Sequence, residues 1–202
     1  MYERYIKNII DRLLASLALI ILLPIFIITG LAIKIEDPKG QVFFIQDRQG
    51  IFGKPFRCIK FRSMATNAPK EAASWELDNA DSYITHVGAF IRKTSIDELP
   101  QLINIIKGDM AIVGPRPVIL KEEKLISLRK EYGALGVRPG ITGLSQISGR
   151  DTLGIRKKAQ MDGLYAKNVS FINDLKIILK TIPQVLSSEG ISEGRIEDED
   201  FY

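Results

Sequence analysis

Cysteine and histidine are almost absent from this 202-residue chain: Cys58 and His86 stand alone. A single cysteine excludes an intrachain disulfide framework, and one of each leaves too few ligands for a structural zinc site. Cys58 lies in an apolar run with Phe56 and Phe61 and reads as a small buried residue; His86 reads as a local structural residue. There is no P-loop, no GxGxxG, no HExxH and no CxxC pair. Internal repeats and low-complexity linkers are also missing. Asp198-Glu199-Asp200 matches the D-x-D of many nucleotide-sugar glycosyltransferases, but in an acidic terminal tail it reads as solvated charge.

The formal charge of +4 is unevenly spread. Residues 189–202 hold six acids against Arg195, a net −5 that leaves +9 on residues 1–188. A basic body suits an anionic partner: phosphates, nucleotides, lipid headgroups or nucleic acid. The tail has little apolar content and reads as a mobile, solvated end.

Residues 13–33, LLASLALIILLPIFIITGLAI, carry no charge. As a helix they would extend about 31 Å, enough for a bilayer core, and hydropathy alone favours a single transmembrane anchor. Two details favour re-entry instead. Pro24 sits mid-run, where it removes a backbone hydrogen bond. Basic residues flank both ends: Arg4, Lys7 and Arg12 before, Lys34 and Lys39 after. Cytoplasmic flanks prefer positive charge, so a helix that bends and leaves on its own side satisfies both observations.

Beyond this segment, QVFFIQ (41–46) and PFRCIKF (55–61) read as a hairpin joined by DRQGIFGK, and 66–85 as a polar loop with short helical turns. Leu99, Leu102, Ile103 and Ile106 recur at helical spacing, with Lys107-Gly108 a helix stop. A charged surface helix is expected over 119–132 and a glycine-rich loop over 137–150. Residues 171–186 form an amphipathic helix with Phe171, Leu175, Ile178, Leu179 and Ile182 on one side. That side either closes the core or lies in a membrane interface.

Chemistry concentrates in KTSIDELPQL. Ser95 and Glu98 fit a capping box, and acids in a first turn suit the helix dipole. Pro100 argues for a helix starting at Ile96 or Asp97, with the proline in its first turn and both carboxylates at an exposed mouth. Neighbouring side chains diverge, so Asp97 and Glu98 suit different tasks: one attacks phosphorus, the other holds a divalent metal. In Gly114-Pro115-Arg116-Pro117, two prolines restrain an arginine that can bind phosphate bidentately, the alternative being an ordinary surface turn. Arg138, Thr142, Gln146 and Arg150 line a glycine-rich stretch whose amides can approach an anion. Lys60 and Arg62 follow a strand and are either phosphate ligands or edge charges.

Taken together, KFRSM, RKTSIDELPQL, KGDMAIVGPRP and VRPGITGLSQISGR resemble the bacterial sugar transferase family, monotopic phosphoglycosyl transferases that begin lipid-linked glycan assembly. The similarity covers about residues 1–190. It implies an α+β, mostly helical fold: a re-entrant membrane helix over 1–36 broken at Pro24, a cytosolic catalytic domain over 37–188 with interfacial helices and a small β-hairpin, and the tail 189–202. Leu23 stands where the family commonly has a serine, a departure that bears on the bend.

By the same resemblance, Asp97 is the nucleophile toward a UDP-sugar, and Glu98 is implicated with Mg²⁺ beside it. Arg116 matches a phosphate-binding arginine of the family; Lys60, Arg62, Arg138, Thr142, Gln146 and Arg150 are expected, on their own chemistry, to bind the substrate or its phosphates. Undecaprenyl phosphate is the implied acceptor, the inner leaflet of the bacterial cytoplasmic membrane the implied location, and nucleic acid is not among the implied partners. Oligomeric state, a homodimer included, stays open. So do two rivals: single-displacement transfer, and a membrane-tethered nucleotide-binding or scaffold protein.

Overall fold

A computed structural model describes residues 2–68, 80–149 and 153–187. Arg150, residues 69–79 of the polar segment, and the tail with Asp198-Glu199-Asp200 lie outside the described residues.

The uncharged run folds as two helices. A π-helical turn, Tyr2–Ile6, leads into α1, Lys7–Ile21, and α2 follows over Leu23–Glu36, bent from it by 62°. The break falls at Leu22, not at the proline: Pro24 occupies the first turn of α2, where its missing N–H has no helical partner to lose. Among the described residues no single helix is long and apolar enough to cross a membrane; this bent pair passes that test only together. One stripe of the pair, Ala15, Phe26 and Ile33, is buried, while Leu13, Leu17, Ile20, Ile28 and Ile35 are exposed. Exposed apolar side chains in such number on adjacent helices mark a surface made for something other than water.

Next come two antiparallel strands, β1 (Phe43–Gln49) and β2 (Pro55–Phe61), in register from Phe43 opposite Phe61 to Gln49 opposite Pro55. The first strand is displaced from the expected 41–46: Gln41 and Val42 precede it, and Asp47, Arg48 and Gln49 extend its pairing. The reversal is correspondingly tight and holds Phe52 at φ 55° and Gly53 at φ 76°. Cys58 packs with Ala15, Leu102, Ile105 and Met110, and burial pushes its thiol pKa up, so its small buried role holds. His86 is exposed at the start of α3, His86–Lys93, which Thr85 caps through Gly88 N (2.9 Å).

The chain then makes a 3-10 turn, Ile96–Glu98, before α4, Gln101–Lys107. Gly108 ends α4 at φ 89°, as Lys107-Gly108 predicted. Two three-residue strands, β3 (Ala111–Val113) and β4 (Gly140–Thr142), pair in parallel where only a turn and a loop were expected. Strands this short carry no readable alternation. Between them lies α5, Glu123–Glu131, shorter than the 119–132 expected because Ile119 is buried and bridges to Arg48. Then follow α6 (Leu144–Ile147), α7 (Ile155–Lys167) and α8 (Phe171–Ser187). The α7 helix escaped the sequence because its buried residues are Ala159, Asp162, Gly163 and Tyr165, a set with one large side chain among small and polar ones that does not register as an apolar face. The result is α+β and mostly helical.

The α8 helix turns Asp174 and Ile177 inward. Of the apolar row read from the sequence, Phe171, Leu175, Leu179 and Ile182 point outward and only Ile178 packs against the core, so most of that row is not the side that closes it.

Candidate active site

The Asp97–Glu98 pair is set by what flanks it. Ser95 adopts φ 56°, a left-handed conformation that is uncommon outside glycine, and reverses the chain after α3. Its hydroxyl caps nothing, so the expected capping box is absent; only the backbone bond from Glu98 N to Ser95 O (3.2 Å) closes the turn. Nor does the pair open α4. Pro100 is the residue before that helix, and both acids belong to the separate 3-10 turn. At three residues per turn their side chains diverge by about 120°. Rather than standing at an exposed mouth, Glu98 is buried, at 8% of its full exposure.

Two cations explain how a carboxylate tolerates that burial. Glu98 Oε1 receives Lys60 Nζ from β2 at 2.8 Å and Arg116 Nη2 at 2.9 Å, while its Oε2 has a longer contact with Arg116 Nη1 (3.5 Å). Burial by itself would raise the Glu98 pKa, but Arg116 and Lys60 override it and hold the group well below the usual carboxylate range. Asp97 has the opposite balance. Burial pushes its pKa up to about 6; Lys60 opposes the shift, the charge on Glu98 adds to it, and Arg116 and Arg92 oppose it. No described residue donates a hydrogen bond to the Asp97 carboxyl. Two cations and two carboxylates thus share one site, with both cations hydrogen-bonded to Glu98 and Asp97 left without a donor among the described residues.

The partners of Glu98 are themselves anchored. Asn104, fully buried on α4, accepts from Ile59 N (3.0 Å) and donates to Arg57 O (2.8 Å), which locks β2 and hence Lys60 in register. The Gly114-Pro115-Arg116-Pro117 turn is gripped by its carbonyls. Arg129 Nη1 donates to Arg116 O (3.0 Å) and Arg48 Nη1 to Pro117 O (3.4 Å). Arg129 is in turn held by Asp162 Oδ2 (2.7 and 2.8 Å), and Asp162 Oδ1 accepts from Ser145 Oγ (2.7 Å). Glycine is required beneath the turn: a Cβ on Gly114 would lie 2.2 Å from Arg138 O, and one on Gly140 2.1 Å from Gly114 N.

Of the residues singled out in the sequence, Asp97, Glu98, Lys60 and Arg116 converge. The others are engaged elsewhere. Arg62 pairs with Asp37 (2.6 Å), Arg138 donates to Gly108 O (2.8 Å), Thr142 bonds Thr181 (2.7 Å), and Gln146 donates to Ile141 O (3.0 Å). Arg138 also lines a cavity of about 490 Å³ with Lys7, Asn8 and Phe52, and none of the four converging residues borders it. The helix α5 was expected to be a surface helix, yet its Arg129 is buried. Asn104, Arg129 and Asp162 were missed. Asn104 carried a faint signal, a polar residue between Ile103 and Ile105; the pairing of Arg129 with a residue 33 positions away carried none.

Among the described residues no three His, Cys, Asp or Glu side chains gather as a metal cage. A hard divalent cation needs less. Mg²⁺ takes one or two protein carboxylates and completes its shell with phosphate oxygens and water. The unsatisfied Asp97 carboxyl and the weakly held Oε2 of Glu98 supply such a donor set.

Residues 2–188 match the bacterial sugar transferase family. Among similar proteins, the exopolysaccharide production protein ExoY of Sinorhizobium fredii is 40% identical over 91% of this chain and 87% of its own length. The UDP-glucose:undecaprenyl-phosphate glucose-1-phosphate transferase of Caulobacter vibrioides is 38% identical over 91% of this chain and 70% of that protein. The undecaprenyl-phosphate galactose phosphotransferase of Salmonella typhimurium is 39% identical over 93% of this chain, which spans only 42% of that longer protein, as it does of a sugar transferase of Haemophilus influenzae. With the match running through every element that builds the Asp97–Glu98 site, the chain belongs to the bacterial sugar transferase family.

Proposed function

We propose that this protein transfers a sugar 1-phosphate from a UDP-sugar to undecaprenyl phosphate and releases UMP, through a covalent intermediate on Asp97. The observation that carries this reading is the asymmetry of the dyad. Glu98 Oε1 is held by both Lys60 and Arg116, whereas Asp97, only partly buried, has its pKa pushed up to about 6 and has no hydrogen-bond donor among the described residues. A carboxylate so placed is ionised at neutral pH and poorly solvated, which suits a nucleophile that needs no activating base.

In the first step an Asp97 carboxylate oxygen attacks the β-phosphorus of the UDP-sugar. The bond from that phosphorus to the oxygen bridging the α-phosphate breaks, and UMP departs with the electron pair. In the second, a phosphate oxygen of undecaprenyl phosphate attacks the same phosphorus, the acyl–phosphate bond breaks, and Asp97 returns as carboxylate. Lys60 and Arg116 keep the site near neutrality while an anionic substrate meets an anionic nucleophile. Mg²⁺, held by Glu98 and Asp97 with substrate oxygens, would supply further charge neutralisation at the phosphates. The substrate classes are supported by the names of the Caulobacter and Salmonella relatives, a UDP-glucose:undecaprenyl-phosphate glucose-1-phosphate transferase and an undecaprenyl-phosphate galactose phosphotransferase.

The membrane reading rests on surface chemistry. The α1–α2 pair enters and returns on the cytoplasmic side of the inner membrane, and the outward row of α8 lies in the interface. Both the 62° bend and the exposed apolar side chains support it. An active site at the interface then meets a soluble nucleotide sugar and a lipid that cannot leave the bilayer.

The test is nucleotide release from a panel of UDP-sugars with purified protein, Mg²⁺ and undecaprenyl phosphate, joined to intact mass without the acceptor. UMP release and a sugar-phosphate adduct on Asp97 are expected. UDP release, or UMP release without an adduct under rapid quench, would overturn the covalent route.

A further inference from the structure

Acids at the C-terminus of a helix face the negative end of its dipole. Yet α2 ends on Glu36, and Asp37 follows. Neither carboxylate serves its own helix. Glu36 Oε1 accepts from His86 N (2.7 Å) and Oε2 from Val87 N (3.0 Å), so this side chain takes two of the first free amides of α3, a helix fifty residues further on. Asp37 Oδ2 accepts from Arg62 Nη1 (2.6 Å) and from Thr66 N (3.3 Å), and Arg62 Nη2 reaches back to Asp37 O (3.1 Å).

Two glycines make the junction tight. A Cβ on Gly40 would lie 1.6 Å from Arg62 Nη1, and one on Gly88 would lie 1.9 Å from Ser63 O. The backbone of the post-α2 turn therefore wraps the Arg62 guanidinium, and α3 rides directly on the chain leaving β2. Thr85 N adds a bond to Ser63 O (3.2 Å). Both exits from this junction lead to the site. Lys60, which holds Glu98 at 2.8 Å, lies near the end of β2, two residues before Arg62, the first residue beyond that strand. The α3 helix runs through left-handed Ser95 into Asp97 and Glu98.

We infer that Glu36 and Asp37 are positioning residues for the transfer site: they register α3 and the end of β2 against the apolar helix pair, and so set Lys60 and the Asp97–Glu98 turn relative to each other. This gives Arg62 a task other than phosphate binding, and it makes the geometry of the site depend on how α2 is seated. The kinetic part of the inference rests on the phosphoglycosyl-transfer reading; the geometric part does not.

The experiment uses the full chain in bilayers, with the isosteric variants Glu36→Gln and Asp37→Asn. Each is expected to lower kcat for UMP release by about tenfold or more while leaving KM for the UDP-sugar within about twofold. Amide hydrogen exchange across residues 96–101 is expected to quicken by about tenfold, with the melting temperature little changed. A kcat within about twofold of wild type, or unchanged exchange at 96–101, overturns the inference. Should Asp37→Asn fail to fold, Arg62→Lys, which keeps the charge and loses the fork, is read in its place against the same two thresholds. If the wild type itself releases no UMP, the transferase reading fails, and exchange at 96–101 still decides the positioning role.

Discussion

Two of the arginine–carboxylate clusters among the described residues differ in how they are closed, one around Glu98 and Asp97, the other around Arg129 and Asp162. In the second, the side chains are 2% and 1% exposed, both Asp162 oxygens have donors, and Arg129 also reaches Arg116 O. Its charges are balanced and closed. The first holds two cations against one carboxylate, with a second carboxylate beside them that no described residue satisfies. A closed cluster holds structure, since every polar atom already has its partner and a ligand would find nothing to bind. An open one leaves a carboxylate that desolvation disfavours and that no described residue hydrogen-bonds, so its charge costs stability and is available for chemistry. The connection between them runs through one peptide group: Arg129 grips the carbonyl of the residue whose guanidinium holds Glu98.

The sharpest test of this difference is to make the same chemical change in each cluster. Asp97→Asn is expected to reduce UMP release by about four orders of magnitude or more, as removal of a covalent nucleophile does. It should also raise the melting temperature. The folded-state pKa of Asp97 lies above its unfolded value, so at neutral pH its charge costs stability, and the amide removes that cost. Asp162→Asn should do the reverse, destabilising by about 3–5 kcal/mol because Arg129 is left buried without its counter-charge. Parallel thermal melts check both; the same sign for the two variants would erase the distinction between open and closed clusters.

Glu98→Gln probes the balance inside the open cluster. Releasing Lys60 and Arg116 from their carboxylate and removing one cation ligand should raise the Mg²⁺ concentration for half-maximal activity by about ten- to a hundredfold. A metal titration of UMP release measures this, and an unshifted curve would remove Glu98 from the metal's shell. The smallest expected effect is one of pH. With Asp97 titrating at about 6, its nucleophilic form is present above that pH and lost below it. Activity should be flat above neutrality and fall about tenfold per unit below pH 6. An acid limb near pH 4 would place Asp97 in a more solvated setting.

Much of the local architecture was legible in the sequence. Pro24 marked the bend to within two residues, because a missing N–H is tolerated only in a first turn. Gly108 marked the end of α4, and the pairing of 55–61 with the preceding strand followed from composition. The dyad itself stood out as adjacent acids before an apolar helix. Elements with weak patterns were lost: α7 buries alanine, aspartate and glycine beside the single large Tyr165, and β3 and β4 are too short to alternate. The apolar row of α8 was seen correctly, yet its direction could not be read, since periodicity identifies a face without saying what covers it.

The site divides along the same line. That Asp97 and Glu98 diverge, that Arg116 sits in a stiff turn, and that Lys60 lies near the end of a strand are consequences of neighbours along the chain. Which cation meets which acid is not. Lys60 and Arg62 are two residues apart and chemically alike in charge, yet one holds Glu98, 38 positions away, and the other holds Asp37, 25 positions back. Arg116 crosses 18 positions to Glu98, and Arg129 crosses 33 to Asp162. Short-range torsions and hydrogen bonds act within a few residues and leave their mark on composition. Pairing between distant charges follows from strand register, helix seating and the burial that makes an unpaired charge costly, and these exist only once the chain has closed on itself.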